Sequence, residues 1–259
     1  HRLLCGDSTN ADDVARLMAG AKAGMLFTDP PYNIDYTKLN STIRETGKDW
    51  QYCTDWHDKM SDEDYRHFLA AFLRNAKANM VDGAHFYVWF ATVYIRELWN
   101  AFEVNEIPFD RVPIVWKKQT VPLSWARYKR VYEPCVFGGK GITGGSGSRW
   151  FGPNNEVGVW EIDADFNGDY VHPTQKPVAL AARAIGNSSQ AGEIVLEMFC
   201  GSGSTLIACE QTGRRCYAIE RDPAFVDVEV ERYCQFTGNR NIRINGTDAE
   251  WITEQSPKS

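Results

Sequence analysis

The chain has 259 residues, 43% apolar and 24% charged, with a formal net charge of −6. That suffices for one sizeable α/β domain, and no apolar run reaches membrane-spanning length. Seven cysteines without C-x-x-C spacing argue for reduced thiols in a cytoplasmic protein and against a zinc site. The first residue is His1, with no signal-type pattern after it, so an upstream segment is compatible with the chain.

Gly24 to Thr28 reads as the first strand, ending at Asp29 in "LFTDPPYNID", residues 26–35. A helix is expected from Glu63 to Met80, with Ser61 and Asp64 as a capping box and Leu69, Phe72, Leu73 and Ala76 as its apolar stripe. Residues 84–90 read as a buried strand and 91–102 as a helix, followed by strands at 112–117, 133–137 and 157–162. The glycine-rich stretch 138–148 precedes no helix and reads as a loop. A helix at 177–189, a strand at 193–199, a helix at 204–212, a strand at 215–220 and a helix at 223–236 complete the pattern. Strands alternating with helices predict an α/β fold with a mostly parallel sheet covered on both faces. Segments 33–60 and 118–131 lack a clear period, and loops of that length are usually functional or disordered.

Two prolines after Asp29 remove two N–H donors and fix two φ angles. What is left is a stiff rim of acceptors, the Asp29 carboxylate and the Pro30 carbonyl. Such a rim suits a donor-only NH2 group, and Tyr32 offers a face on which a planar base can stack. The same residues also make an ordinary surface turn.

"EMFCGSGST", 197–205, runs from a strand through Gly201 and Gly203 into a helix. Glycines there allow a tight turn and close ligand approach, and Glu220, at the end of the next strand, can accept from both hydroxyls of a ribose. An ordinary glycine-capped strand–helix turn has the same look.

Between residues 111 and 150 stand Arg111, Lys117, Lys118, Arg127, Lys129, Arg130, Lys140 and Arg149 against the single acid Glu133. Trp116, Trp125, Tyr128 and Trp150 are interleaved with them. The segregation reads as a surface for a polyanion, one wall of a cleft, against the alternative of a solvated, salt-bridged face.

Asp29-Pro30-Pro31-Tyr32 resembles the DPPY motif of the DNA amino-methyltransferases. Phe199 to Gly203 resembles their AdoMet-binding F-x-G-x-G, and "HPTQKP", 172–177, resembles a block that precedes the AdoMet half. The catalytic half comes first, as in the permuted class β arrangement, and the likeness runs from "LLCGDS" to about Gly238. The likeness extends to phage and prophage modification methylases, some of which carry an upstream ParB-like domain. Where the family has D-P-F, this chain has Glu197-Met198-Phe199.

The resemblance implies a Rossmann-like AdoMet-dependent methyltransferase fold in one domain over 1–259, with target-recognition loops at 33–60 and 118–150. It implies S-adenosyl-L-methionine as cofactor, DNA as partner, no metal and no membrane, and it is compatible with a homodimer. Asp7 would face the adenine amine of the cofactor and Glu220 its ribose. Phe199 and Asp29 would line the cofactor site, with Gly201 and Gly203 giving close backbone approach. His172, Thr174 and Lys176 would lie near the ribose and methionine end, although His172 also reads as a structural histidine.

On this resemblance Asp29, Pro30 and Tyr32 are catalytic, and the target base leaves the duplex to reach them. The strands ending at Asp29 and Phe199 should be neighbours, with the site at their carboxyl ends. Lys117, Lys118, Arg127, Lys129 and Arg130 would hold DNA. Trp125 and Tyr128 would wedge into the gap, or else pack under the loop. Adenine N6 is favoured by DPPY over cytosine N4. Carbon-5 methylation through Pro134-Cys135 and an inactive DNA-binding module are the other readings.

Overall fold

The computed structural model describes residues 1–34, 59–119, 127–141, 147–163 and 176–252. In chain order these form β1 (Arg2–Cys5), α1 (Ala11–Met18), β2 (Ala23–Thr28), α2 (Asp62–Ala78), β3 (Met80–Trp89) and α3 (Ile95–Val104). Then come β4 (Ile114–Lys117), β5 (Tyr132–Gly139), β6 (Val159–Glu161), α4 (Val178–Ser188), β7 (Ile194–Glu197) and α5 (Ser204–Gln211). β8 (Arg215–Glu220), α6 (Pro223–Thr237), β9 (Asn241–Ile244) and β10 (Thr247–Glu250) close the described chain.

Side chains on a strand alternate between faces, and the central strands use both faces as core. Leu26, Phe86, Val88 and Leu196 pack with α1, α2 and α3 on one side. Met25, Phe27, Tyr87, Trp89 and Val195 pack with α4 and α5 on the other. The sheet has eight strands in the order β1-β8-β7-β2-β3-β5-β4-β6. β5 is antiparallel to both of its neighbours, and the other pairs are parallel. β9 and β10 form a separate hairpin.

The helix ends follow local chemistry. Ser61 caps α2 by accepting from the Asp64 N–H at 3.1 Å; the Asp64 carboxylate accepts from the Ser61 hydroxyl at 2.7 Å instead of from its backbone N–H, so the N-cap forms but the expected capping box is not closed. Asp222 caps α6 ahead of Pro223.

Three expectations change, and some elements had none. β1, α1 and the β9–β10 hairpin were not read from the sequence. The strand expected at 84–90 begins at Met80. The helix expected from 91 opens as a 3-10 turn at Thr92–Tyr94 and becomes α-helical from Ile95. Gly138 and Gly139, expected in a loop, belong to β5. A Cβ on Gly138 would lie 2.8 Å from the Phe102 ring and 3.0 Å from the Pro108 carbonyl oxygen, so glycine there lets the strand pass close to α3.

Candidate active site

β2 and β7 are hydrogen-bonded neighbours, with Met25 opposite Val195 and Leu26 opposite Leu196. From β2 the sheet grows toward β3, and from β7 toward β8. The strand order therefore reverses between them, where α/β sheets open a crevice at the carboxyl ends. A cavity of about 970 Å³ lies there, lined from both halves by Asp7, Asp29, Tyr32, Lys176, Phe199 and Glu220, among others.

The loop after β2 is held from outside. Tyr65 donates its hydroxyl to the Pro31 carbonyl at 2.9 Å. Asn33, at φ +54°, donates to the Tyr94 hydroxyl at 3.1 Å and accepts from the Met60 N–H at 2.6 Å. These contacts hold the loop without using the Asp29 carboxylate.

Asp29 Oδ2 accepts from the Lys176 ammonium, whereas Oδ1 is buried and has no hydrogen-bond partner among the described residues. Lys176 also donates to the Tyr32 hydroxyl at 3.0 Å and pairs with Glu133 at 3.1 Å. Glu133 pairs in turn with Lys118. Burial raises the Asp29 carboxyl above its ordinary value, with Lys176 opposing and Glu133 adding to the rise. Burial also works to raise Glu133, but Lys176 and Lys118 hold it down at about 2. Burial disfavours charge on Lys176, yet Asp29 and Glu133 keep it protonated well above the usual lysine range.

On the other side, Glu220 Oε2 accepts from the Gly201 N–H at 3.0 Å and Oε1 from the Asp222 N–H at 2.9 Å. The carboxylate is anchored with lone pairs left over for further donors. Gly201 and Gly203 have φ of +57° and +76°, a backbone that favours glycine. Phe199 packs on Phe68 and Phe72. Asp7 accepts from both the N–H and the hydroxyl of Thr9. Glu197 accepts from Thr28, Thr205 and the Phe199 N–H, tying the two halves together.

His172, Thr174 and Trp125 lie outside the described residues. Lys176, expected near the methionine end of a cofactor, sits on the Asp29 carboxylate in the same cavity. Glu133, Asn33, Tyr65 and Thr28 were not anticipated as parts of the site. Glu133 did carry a signal, as the lone acid in a basic stretch. Cys135 is fully buried in β5 and burial pushes its thiol well up, so it offers no nucleophile to the cavity. Among the described residues no cluster of His, Cys, Asp and Glu could hold a metal, and no helix is long and apolar enough to cross a membrane.

The basic stretch does not form one wall. Lys117 and Lys118, at the end of β4, and the exposed Arg127, Tyr128, Lys129 and Arg130, before β5, lie at the cavity's end of the sheet. Lys117 pairs with Glu161 at 2.7 Å. Lys140 pairs with Asp82, and Arg149 with Glu193, at the amino ends of β3 and β7. From Gly83 to Trp89 a strand covers roughly 20 Å, so β5 carries the basic segment from one end of the sheet to the other. Arg111 pairs with Glu103 at 2.9 Å, beside α3.

Residues 150–231 match the N6_N4_Mtase family model, described as DNA methylase; the match includes Phe199, Gly201 and Glu220 but not Asp29. The Type II methyltransferase M2.MboI of Moraxella bovis is 27% identical over 240 residues, covering 82% of this chain and 81% of that protein. The crystal structure of an M1.HpyAVI–SAM complex superposes with a TM-score of 0.62 at 19% identity, covering 89% of this chain and 98% of that one. The PvuII DNA methyltransferase (cytosine-N4-specific) superposes at 0.66 with 15% identity, covering 89% and 85%. The chain thus has the α/β fold of the AdoMet-dependent methyltransferases, and its residues 150–231 are similar to the N6/N4 DNA methylases.

Proposed function

We propose that this protein transfers the methyl group of S-adenosyl-L-methionine to the exocyclic N6 amine of adenine in DNA. The observation that carries the reading is the buried, unpartnered Oδ1 of Asp29 in the same cavity as the anchored carboxylate of Glu220. One is an acceptor awaiting an amine. The other is an acid suited to a ribose.

The residues present fit the cofactor. Glu220 would take the ribose hydroxyls, Asp7 the adenine amine, and Gly201 and Gly203 would allow close backbone approach, with Phe199 alongside. When bound, the cofactor supplies an electrophilic methyl on a sulfonium that becomes a neutral thioether. Asp29 Oδ1 and the Pro30 carbonyl accept the two amine hydrogens and localise the nitrogen lone pair, which forms the new N–C bond as the S–C bond breaks. Asp29 is placed to receive the proton that nitrogen then loses.

The target base reaches the cavity by leaving the duplex, at a cost of a few kcal/mol, about what unstacking requires. Tyr32 supplies the stacking face. Lys117, Lys118, Arg127, Lys129 and Arg130 hold phosphates, and segments 33–60 and 118–150 read the sequence, with Trp125 and Tyr128 as wedges. The chain order, β2 before β7, supports the permuted class β arrangement.

Nucleoside mass spectrometry of DNA incubated with the protein and AdoMet tests the reading. N6-methyladenine is expected. N4-methylcytosine would move the target to cytosine with the same chemistry, and 5-methylcytosine or no methylated base would overturn the proposal.

A further inference from the structure

We propose that Glu133 is a positioning residue for the amine acceptor: by sharing the Lys176 ammonium with Asp29, it holds Asp29 with Oδ2 occupied and Oδ1 turned to the target amine. This rests on the proposed role of Asp29.

The geometry is specific. A lysine ammonium has three N–H donors, and here they meet Asp29, Glu133 and the Tyr32 hydroxyl. The ammonium also lies 5.2 Å from the Trp89 ring and 5.4 Å from the Tyr32 ring, so aromatic faces limit its movement. Lys176 is only 7% exposed, against 25% for Asp29 and 23% for Glu133, so the cation sits deepest. Glu133 comes from β5, two strands from Asp29, and Lys118 holds its other oxygen.

The chemistry gives this arrangement a use. A cation fixed on Oδ2 orients the carboxylate and works against its protonation, which leaves one acceptor for the amine. Alone, however, Lys176 would repel both the sulfonium and the positive charge that develops on the attacking nitrogen. A second carboxylate on the same ammonium offsets that repulsion and draws the ammonium partly away from Asp29. Glu133 therefore sets how firmly Lys176 holds the acceptor.

The ionisable groups facing Asp29 are Lys176, Tyr32 on its own loop, Glu133 and Cys135 on β5, and Glu197 on β7. Two of these can be neutralised with opposite consequences. Glu133→Gln removes a negative charge, so Asp29 ionises at lower pH. Lys176→Met removes a positive charge, so Asp29 ionises at higher pH.

The experiment is the pH profile of kcat for methyl transfer with DNA and AdoMet saturating, in the parent and both variants. The acid limb should move down in Glu133→Gln and up in Lys176→Met, each by about one pH unit, the usual effect of a charge this close. Limbs that stay with the parent, or that move in the same direction, would overturn the role given to Glu133. Should Glu133→Gln fail to fold, Glu133→Asp, which draws the carboxylate back from Lys176, decides: its acid limb should also move down, and an unmoved limb would overturn the role given to Glu133. A parent that methylates no DNA would instead sink the proposed function.

Discussion

The Thr28 hydroxyl donates to the Glu197 carboxylate at 2.5 Å, across 169 positions of sequence. Thr28 is the residue before Asp29, and Glu197 opens the segment that carries Phe199 and Gly201. Glu197 also accepts from Thr205 at 2.7 Å and from the Phe199 N–H at 3.1 Å. A single buried side chain therefore joins the strand that ends at Asp29 to the glycine turn after β7. Glu197, at the position of the aspartate in the D-P-F of the family that the sequence resembles, touches both at once.

Burial pushes Glu197 up to about 8 against the hydrogen bonds it accepts. The folded chain thus holds this proton more tightly than the unfolded chain does. Its contribution to stability is fully present below the ordinary glutamate range and is lost as pH rises toward about 8. Glu197→Gln should remove that slope, so the variant loses less Tm than the parent between about pH 5 and 8. Parallel Tm curves over that window would show that Glu197 is ionised throughout.

Glu220→Ala should weaken AdoMet binding by about 1–3 kcal/mol, the cost of leaving hydrogen-bonding groups unpaired. The Gly201 and Asp222 amides lose their acceptor in the same variant, which adds to the effect. Unchanged affinity by titration calorimetry would show that the cofactor does not lie against β8.

Neutralising Lys129 and Arg130 together should weaken binding to all DNA sequences and flatten the salt dependence by about 2 units, at roughly 0.9 per phosphate contact. The paired Arg149 and Lys140, at the far end of the sheet, should have no such effect when replaced. Identical slopes for the double variant and the parent would remove this segment from the DNA surface.

The halves of the site were legible because each is local. Asp29-Pro30-Pro31-Tyr32 and Phe199 to Gly203 are contiguous, and each follows an apolar strand whose end can be read. Their adjacency followed from the reversal of strand order expected in such sheets. What could not be read depends on strands that cross the molecule. β5 brings Glu133 to Lys176 at one end and takes Lys140 to Asp82 at the other. A segment that looks uniformly basic in sequence is thereby divided between two surfaces. β1 and the β9–β10 hairpin are four-residue strands with much of their length exposed, too short to show a period.

The most direct test of the account is Asp29→Ala, with methyl transfer to DNA and AdoMet affinity measured side by side. Transition-state acceptors of this kind are worth roughly 10²–10³ in rate. The account predicts a loss of that order in kcat with AdoMet affinity close to the parent's. Turnover near the parent's would contradict it, because the unpartnered oxygen of Asp29 would then have no part in the reaction.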